Sequence, residues 1–170
     1  METVVTIRSA AVEDIDIIHS LVHKIWPDAY GDILSAAQLA YMMQLIYSKP
    51  SLKKQIEEQN HRFLIAELNN EPVGFASFSA IAVPGIYKLH KIYVRTDIQG
   101  KGLGKALIDE VIAAIKPANA TALLLNVNRH NKAKTFYEKF GFTVIKEEDI
   151  DIGNGYFMND YVMEYLVSSI

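Results

Sequence analysis

Apolar residues recur along the chain with two different periods, and each change of period marks a new element. Val4 to Arg8 is a short β-rich run. After it Ala11, Ile15, Ile18, Val22 and Ile25 fall three or four residues apart, on one face of a helix that Pro27 is expected to stop. Ser35 to Tyr47 repeats the pattern through Leu39, Met42, Met43 and Ile46, and Pro50 starts a shorter helical piece with Leu52 and Ile56. Beyond His61 the period becomes that of strands: Arg62 to Leu68, a turn at Asn69-Asn70-Glu71, Pro72 to Ala82, a break at Pro84-Gly85, and Tyr87 to Arg95. These three runs predict an antiparallel meander.

The helical period returns over Lys101 to Ile115, where Leu103, Leu107, Val111 and Ala114 form a stripe flanked by Ile108, Ile112 and Ile115. Thr121 to Val127 is a continuous apolar run of the kind a strand buried on both faces carries. His130 to Phe140 is helical, with Ala133, Phe136, Tyr137 and Phe140 on one face and Gly141 placed for a left-handed C-cap. Strands at Phe142 to Glu147 and Tyr156 to Leu166 complete the series. The strand-helix-strand unit from 87 to 127 predicts a right-handed crossover and a parallel pair in mid-sheet. With no repeat, low-complexity stretch or linker, residues 1–170 read as a single α/β domain.

Composition narrows the chemistry. Half of the 170 residues are apolar and 22% are charged, an ordinary globular balance. Seventeen basic against twenty acidic side chains give a net charge of -3, so bulk attraction to nucleic acid or to an anionic membrane is not expected. No apolar run is long enough to span a membrane and the N-terminus does not resemble a signal peptide, so a cytoplasmic protein is expected. The absence of cysteine excludes thiol nucleophiles, disulfides and cysteine-ligated zinc, and no metal site is expected.

The most informative segment is Ile92-Tyr93-Val94-Arg95-Thr96-Asp97-Ile98-Gln99-Gly100-Lys101-Gly102-Leu103-Gly104-Lys105, a strand passing through a glycine-rich turn into a helix. Glycines at a helix start let a ligand approach the backbone, and the unpaired amides there suit a phosphate. A Walker A loop would need glycine at 99 and Ser or Thr at 106, where Gln99 and Ala106 stand. A dinucleotide fingerprint would need glycine at 105, which is Lys105, on a strand that opens the fold. Both common nucleotide-binding readings fail.

What the segment does match is Gln/Arg-x-x-Gly-x-Gly/Ala, as Gln99, Gly102 and Gly104. It resembles the pyrophosphate-binding motif of the GNAT family of N-acetyltransferases, which use acetyl-coenzyme A. Further along, Asn131-Lys132-Ala133-Lys134-Thr135-Phe136-Tyr137-Glu138-Lys139-Phe140-Gly141-Phe142 is similar to the family's Asn-x-x-Ala-x-x-Phe-Tyr-x-x-x-Gly-Phe element. The early helices around Trp26, Tyr30, Gln38 and Tyr41, and the ending from Gly155 to Glu164, look like bacterial PaiA-type polyamine (spermidine or spermine) acetyltransferases. The resemblance implies the GNAT fold: a central mixed, mostly antiparallel sheet of about seven strands flanked by helices.

It also implies roles. Backbone groups of Ile92, Tyr93 and Val94 orient the acetyl and pantetheine groups, and Gln99, Gly100, Lys101, Gly102, Leu103, Gly104 and Lys105 cradle the pyrophosphate. Tyr137 stands where the family has a proton donor to the leaving thiolate; on spacing alone it belongs to the apolar stripe of its helix. Asn131 either bonds the pantetheine amides or caps its helix, and Lys134 is a coenzyme contact or a solvated lysine. His90 is the candidate base, with ordered water as the alternative. Trp26, Tyr30 and Tyr41 either wall an acceptor pocket or pack the helical cap. The acidic run Glu147-Glu148-Asp149 with Asp151 either attracts a cationic amine or is solvated.

Three functions are consistent with these features. The first is transfer of acetyl from acetyl-coenzyme A to the primary amine of a small molecule, a polyamine foremost, by direct transfer in a ternary complex. The second keeps the chemistry and changes the acceptor to a protein N-terminus or lysine, or to an aminoglycoside. The third is a non-catalytic acyl-coenzyme A-binding module. A homodimer enters only as a family-level implication.

Overall fold

The computed structural model describes residues 4–98 and 100–167, a mixed α/β structure with seven strands and five helices. In chain order these are β1 (Val5–Ala10), α1 (Ile15–Tyr30), α2 (Ala36–Tyr47), α3 (Lys49–Glu57), β2 (Arg62–Leu68), β3 (Glu71–Ala80), β4 (Ile86–Val94), α4 (Leu103–Ile115), β5 (Ala122–Asn128), α5 (Ala133–Phe140), β6 (Thr143–Gly153) and β7 (Tyr156–Leu166). The strand order is β1-β2-β3-β4-β5-β7-β6. β1–β2, β2–β3, β5–β7 and β6–β7 pair antiparallel, and β4–β5 pair in parallel. The expected mixed, mostly antiparallel sheet is therefore present, with its parallel pair where the strand-helix-strand pattern put it.

The chain divides into two compact units, residues 1–79 with 91–111 and residues 80–90 with 112–170. In the first, the β2–β3 hairpin closes through Asn69 and Asn70, both at positive φ (51° and 67°), the backbone a two-residue hairpin turn needs and asparagine tolerates. Its core gathers Trp26, Tyr47, Phe63, Ile65, Phe75 and Phe78, each at most 2% exposed. The helix expected to stop at Pro27 instead runs on to Tyr30. Pro27 removes only one amide, within the last turn, while Trp26 and Tyr30 on either side are buried, so side-chain packing overrides the local break. Ala11, expected on the helical stripe, is extended and precedes a short 3-10 turn at Val12–Asp14.

Asp14 ties that entry to β1. One of its oxygens accepts from the Ala11 amide at 2.9 Å, and the pair receives the Arg8 guanidinium at 3.0 and 3.1 Å. The Arg8 hydrogen bond, aided by the Ala11 amide, holds the Asp14 carboxyl below its usual range. A depressed folded-state pKa gives stability that is present above the unfolded pKa and lost as pH falls through the folded one. Asp14→Asn is expected to lower the unfolding free energy by about 1 kcal/mol at neutral pH. In urea titrations the gap should close as the pH is taken below the carboxylate range; an equal gap there would show that charge is not its origin.

In the second unit, β5 carries Leu123 and Leu125 into the core, at 0% and 2% exposure. Helix α5 begins at Ala133 rather than His130, and of its expected stripe only Tyr137 is buried, while Phe136 is 39% exposed. The helix ends as expected at Gly141 (φ 128°), whose amide donates to Tyr137 and Glu138 carbonyls while Phe142 donates to Tyr137. Strand β6 is much longer than the stretch 142–147 read from its apolar residues. It continues to Gly153 through the acidic run, so Glu147, Glu148, Asp149 and Asp151 lie along a paired strand and not at its end. Pairing with the long β7 recruits these polar residues, because one side of an edge strand tolerates charge.

Candidate functional site

In the first unit, β4 delivers the chain into the glycine-rich turn, and Arg95 fixes the delivery. Its guanidinium donates to Glu71 at 2.9 Å and to Asp97 at 3.1 and 2.6 Å, and its own amide donates to the Val73 carbonyl at 2.8 Å. These two carboxylates raise the Arg95 pKa, so the lock is charged at every working pH. Thr96 adds a hydroxyl bond to Asp28 of α1 at 2.9 Å. Close approach of β3 to β4 is enforced at Gly74, where a Cβ would stand 2.7 Å from the Tyr93 carbonyl oxygen.

Gln99 lies outside the described residues. Gly100 and Gly102 have φ of 89° and 72°, and a Cβ on either would meet nothing within 4 Å. Glycine is therefore required here by the backbone and not by crowding. At Leu103 the chain becomes helical, and Ala106 donates the first helix bond, to Gly102 at 3.0 Å. The amides of Leu103, Gly104 and Lys105 lie ahead of that bond, in the first turn of the helix, where backbone donors are ordinarily left free for an anion. Lys101 is exposed beside them, and Lys105 forms an ion pair with Asp109 at 2.7 Å.

Tyr93 points its ring into the core. Its hydroxyl is 3.0 Å from the Tyr30 hydroxyl, and its ring centroid lies 5.7 Å from Trp26 and 5.8 Å from Phe75. The Trp26 ring lies tilted against Tyr30, with centroids 4.6 Å apart, and meets Tyr47 edge-on at 5.1 Å. The structure thus joins Trp26 and Tyr30 to the ring of Tyr93, which favours packing over an open pocket wall for these two. Tyr41 is half-buried on α2.

In the second unit, Tyr137 is 8% exposed and is met edge-on by Phe136 at 5.4 Å and Phe142 at 5.9 Å. Asn131 uses its Oδ1 to accept the Ala133 amide at 2.9 Å, the helix-start role, which leaves its amide hydrogens for another partner. Lys134 pairs with Glu138 at 3.5 Å and lies 5.1 Å from the Tyr161 ring centroid. Arg129 bonds Asp149 and sits 3.8 Å from Glu147, so part of the acidic run is already neutralised. His90 is half-buried on β4, one residue past Leu89, the last β4 residue in the parallel pairing with β5.

Two polar residues that the sequence pattern passed over lie on β5 and β7. Asn126 interrupts the apolar run of β5, and its Nδ2 donates at 3.2 Å to Asp160 of β7, which is 1% exposed. Burial pushes the Asp160 carboxyl up, against the Asn126 bond and the charges of Lys88 and Arg129. Asn126 gave the one signal, a polar residue in an otherwise apolar run, while Asp160, beside Asn159 on a strand of mixed burial, gave none.

The sequence profile of the GNAT acetyltransferase domain matches residues 34–164. The chain belongs to the GNAT acetyltransferase family. A solved GNAT relative, the PaiA N-acetyltransferase of Thermoplasma acidophilum in complex with coenzyme A, superposes with a TM-score of 0.81 at 26% identity, covering 96% of this chain and 99% of that one. An uncharacterized N-acetyltransferase of Methanocaldococcus jannaschii is 28% identical over 81% of this chain and 60% of its own length. The ribosomal protein bS18 alanine N-acetyltransferase of Haemophilus influenzae is 32% identical over 58% of this chain and 64% of its own. The chain thus spans under two thirds of these two curated relatives. Among the described residues, no helix is long and apolar enough to cross a membrane.

Proposed function

We propose that this GNAT chain is one acetyl-coenzyme A-dependent N-acetyltransferase domain that acetylates a primary amine of a small molecule, a polyamine before others, by direct transfer in a ternary complex. The observation that carries the reading is the start of α4, where two glycines at positive φ lead into a helix N-terminus. That cradle fits a pyrophosphate, and the Thermoplasma relative was solved with coenzyme A.

Acetyl-coenzyme A supplies an activated thioester. The chain's part is to hold and orient it. Amides of Leu103, Gly104 and Lys105 receive the pyrophosphate, with Lys101 and Lys105 adding charge and Gln99, Gly100 and Gly102 shaping the turn. Ile92, Tyr93 and Val94 offer backbone groups to the acetyl and pantetheine portions, joined by the Asn131 amide, and Lys134 adds a cation. Tyr137 holds the proton that the departing sulfur takes. His90, directly or through water, relieves the amine of its proton. Residues of α1 and α2, Tyr41 among them, bound the acceptor.

The polyamine preference rests on the PaiA relative and on the acids of β6. A peptide N-terminus is the second reading, favoured by the Haemophilus relative that acetylates a ribosomal protein's alanine. One assay separates them. Coenzyme A release is followed with acetyl-coenzyme A against spermidine, spermine, amino acids, an aminoglycoside and alanine-terminated peptides. Turnover is expected with spermidine or spermine above the others. Preferential use of the peptides would replace the polyamine reading, and thermal stabilisation by coenzyme A with no thiol released from any amine would leave a binding module.

A further inference from the structure

We propose that Asn126 orients the acceptor amine, and that Asp160 is the positioning residue that holds Asn126 in the orientation to do so. The inference rests on the acetyltransferase reading above and adds to it a specific acceptor-side group.

Strand register places these side chains together. Lys88 is the partner of Leu124, Asn126 of Val162, and both Asn128 and Glu148 of Asp160. Partners share a sheet face and every second residue returns to it, so Lys88, His90, Asn126, Asp160 and Glu148 all belong to one face. Asn126 is also the first β5 residue past the end of the parallel pairing with β4, and His90 is the first on β4. Helix α5 covers the other face. Tyr137 packs on Phe142, Phe142 lies 5.4 Å from the Tyr165 ring, and Tyr165 is the partner of Leu123. The proposed proton donor and the proposed amine-orienting group thus stand on opposite faces of β5, which separates the sulfur's proton source from the attacking nitrogen.

The hydrogen bond from Asn126 decides which way its amide points. One carboxylate, Asp160, takes Nδ2–H at 3.2 Å. An amide has two N–H donors and one carbonyl acceptor. With one donor committed to a buried carboxylate, flipping the group would set oxygen against oxygen, so Oδ1 is directed away from Asp160 as a fixed acceptor. A fixed acceptor receives an N–H from an arriving amine and so aims the nitrogen lone pair.

Asp160 is otherwise hard to account for. It is 1% exposed, and its Oδ1 has no hydrogen-bond partner among the described residues. Leaving a buried acceptor unsatisfied costs about 1–3 kcal/mol. The next residue along β7 on the same face, Val162, is apolar and buried, so the strand alone does not require an acid there. Holding Asn126 does.

The test compares wild type, Asn126→Ala and Asp160→Asn in the coenzyme A release assay with the amine panel above, spermidine first. Asn126→Ala is expected to raise KM for the amine about tenfold, the loss of one positioned hydrogen bond, with KM for acetyl-coenzyme A within about twofold of wild type. Asp160→Asn keeps the shape and replaces an acceptor oxygen by a donor, so Asn126 gains a second orientation and the same KM rises about threefold or more. An amine KM unchanged in Asn126→Ala overturns the inference. So does a parallel rise of both KM values in either variant, which marks a merely structural role. If wild type releases no thiol with any amine, the acetyltransferase reading falls first and takes this inference with it, an outcome distinct from the other two.

Discussion

Tyr137→Phe is expected to lower kcat by about 10²- to 10⁴-fold, the usual worth of a positioned general acid, while KM for acetyl-coenzyme A moves by no more than about twofold. The substitution removes one oxygen and keeps the ring. That matters because the ring is 8% exposed and wedged edge-on between Phe136 and Phe142, where a smaller residue would open a cavity and confuse loss of packing with loss of chemistry. An unperturbed tyrosine has a pKa of about 10 and so holds its proton at neutral pH, ready for a thiolate leaving group. Turnover measured at saturating acetyl-coenzyme A and amine reads the chemical step most directly. If the Phe variant turns over as fast as wild type, Tyr137 only packs α5.

Gly102→Val is expected to weaken coenzyme A binding by about 10- to 100-fold without unfolding the protein. At φ 72° a valine is a genuine backbone outlier, costing about 1–3 kcal/mol, and each 1.4 kcal/mol is tenfold in affinity. A side chain there meets nothing within 4 Å, so steric collision is not the route. The strain is relieved by rotating the backbone, which swings the amides of Leu103 to Lys105 away from a common centre. Calorimetric titration with coenzyme A itself checks this independently of any acceptor, and Gly102→Ala is expected to fall between the two. Undiminished affinity in the valine variant would remove the α4 N-terminus as the pyrophosphate site. Because coenzyme affinity and turnover are read separately, the two variants fail in different columns: one in kcat, the other in binding.

The parts of the molecule legible in the sequence are those governed by neighbours in the chain. The period shift after His61, the turn at Asn69-Asn70 and the helix end at Gly141 all depend on residues within a few positions of each other, and the structure has each of them. The glycine turn and the Asn131 to Phe142 element were readable for the same reason. What stayed hidden depends on distant partners. Helix α1 passes Pro27 because Trp26 and Tyr30 are buried against residues far along the chain, and β6 extends through four acids because β7 offers it a ladder. Asn126 and Asp160 meet across 34 positions, so no local pattern shows that an asparagine in an apolar run has a buried carboxylate behind it. The charged run also changed character. Alternation along β6 sends Glu147, Asp149 and Asp151 to one face and Glu148 to the other, splitting one apparent patch into two environments.

Tyr93 carries a consequence for how such an enzyme diversifies. Its backbone lies in the strand proposed to register the coenzyme, while its ring is clasped by Trp26 and Tyr30 of α1. New acceptor specificities in this fold are sought in the early helices, and most of α1 and α2 is open to such drift. At Trp26 and Tyr30 the same drift would disturb the strand that every acceptor shares. Evolvability is therefore unevenly distributed along one helix: exposed positions of α1 are open to change, and these two aromatic positions are tied to the strand proposed to hold the coenzyme.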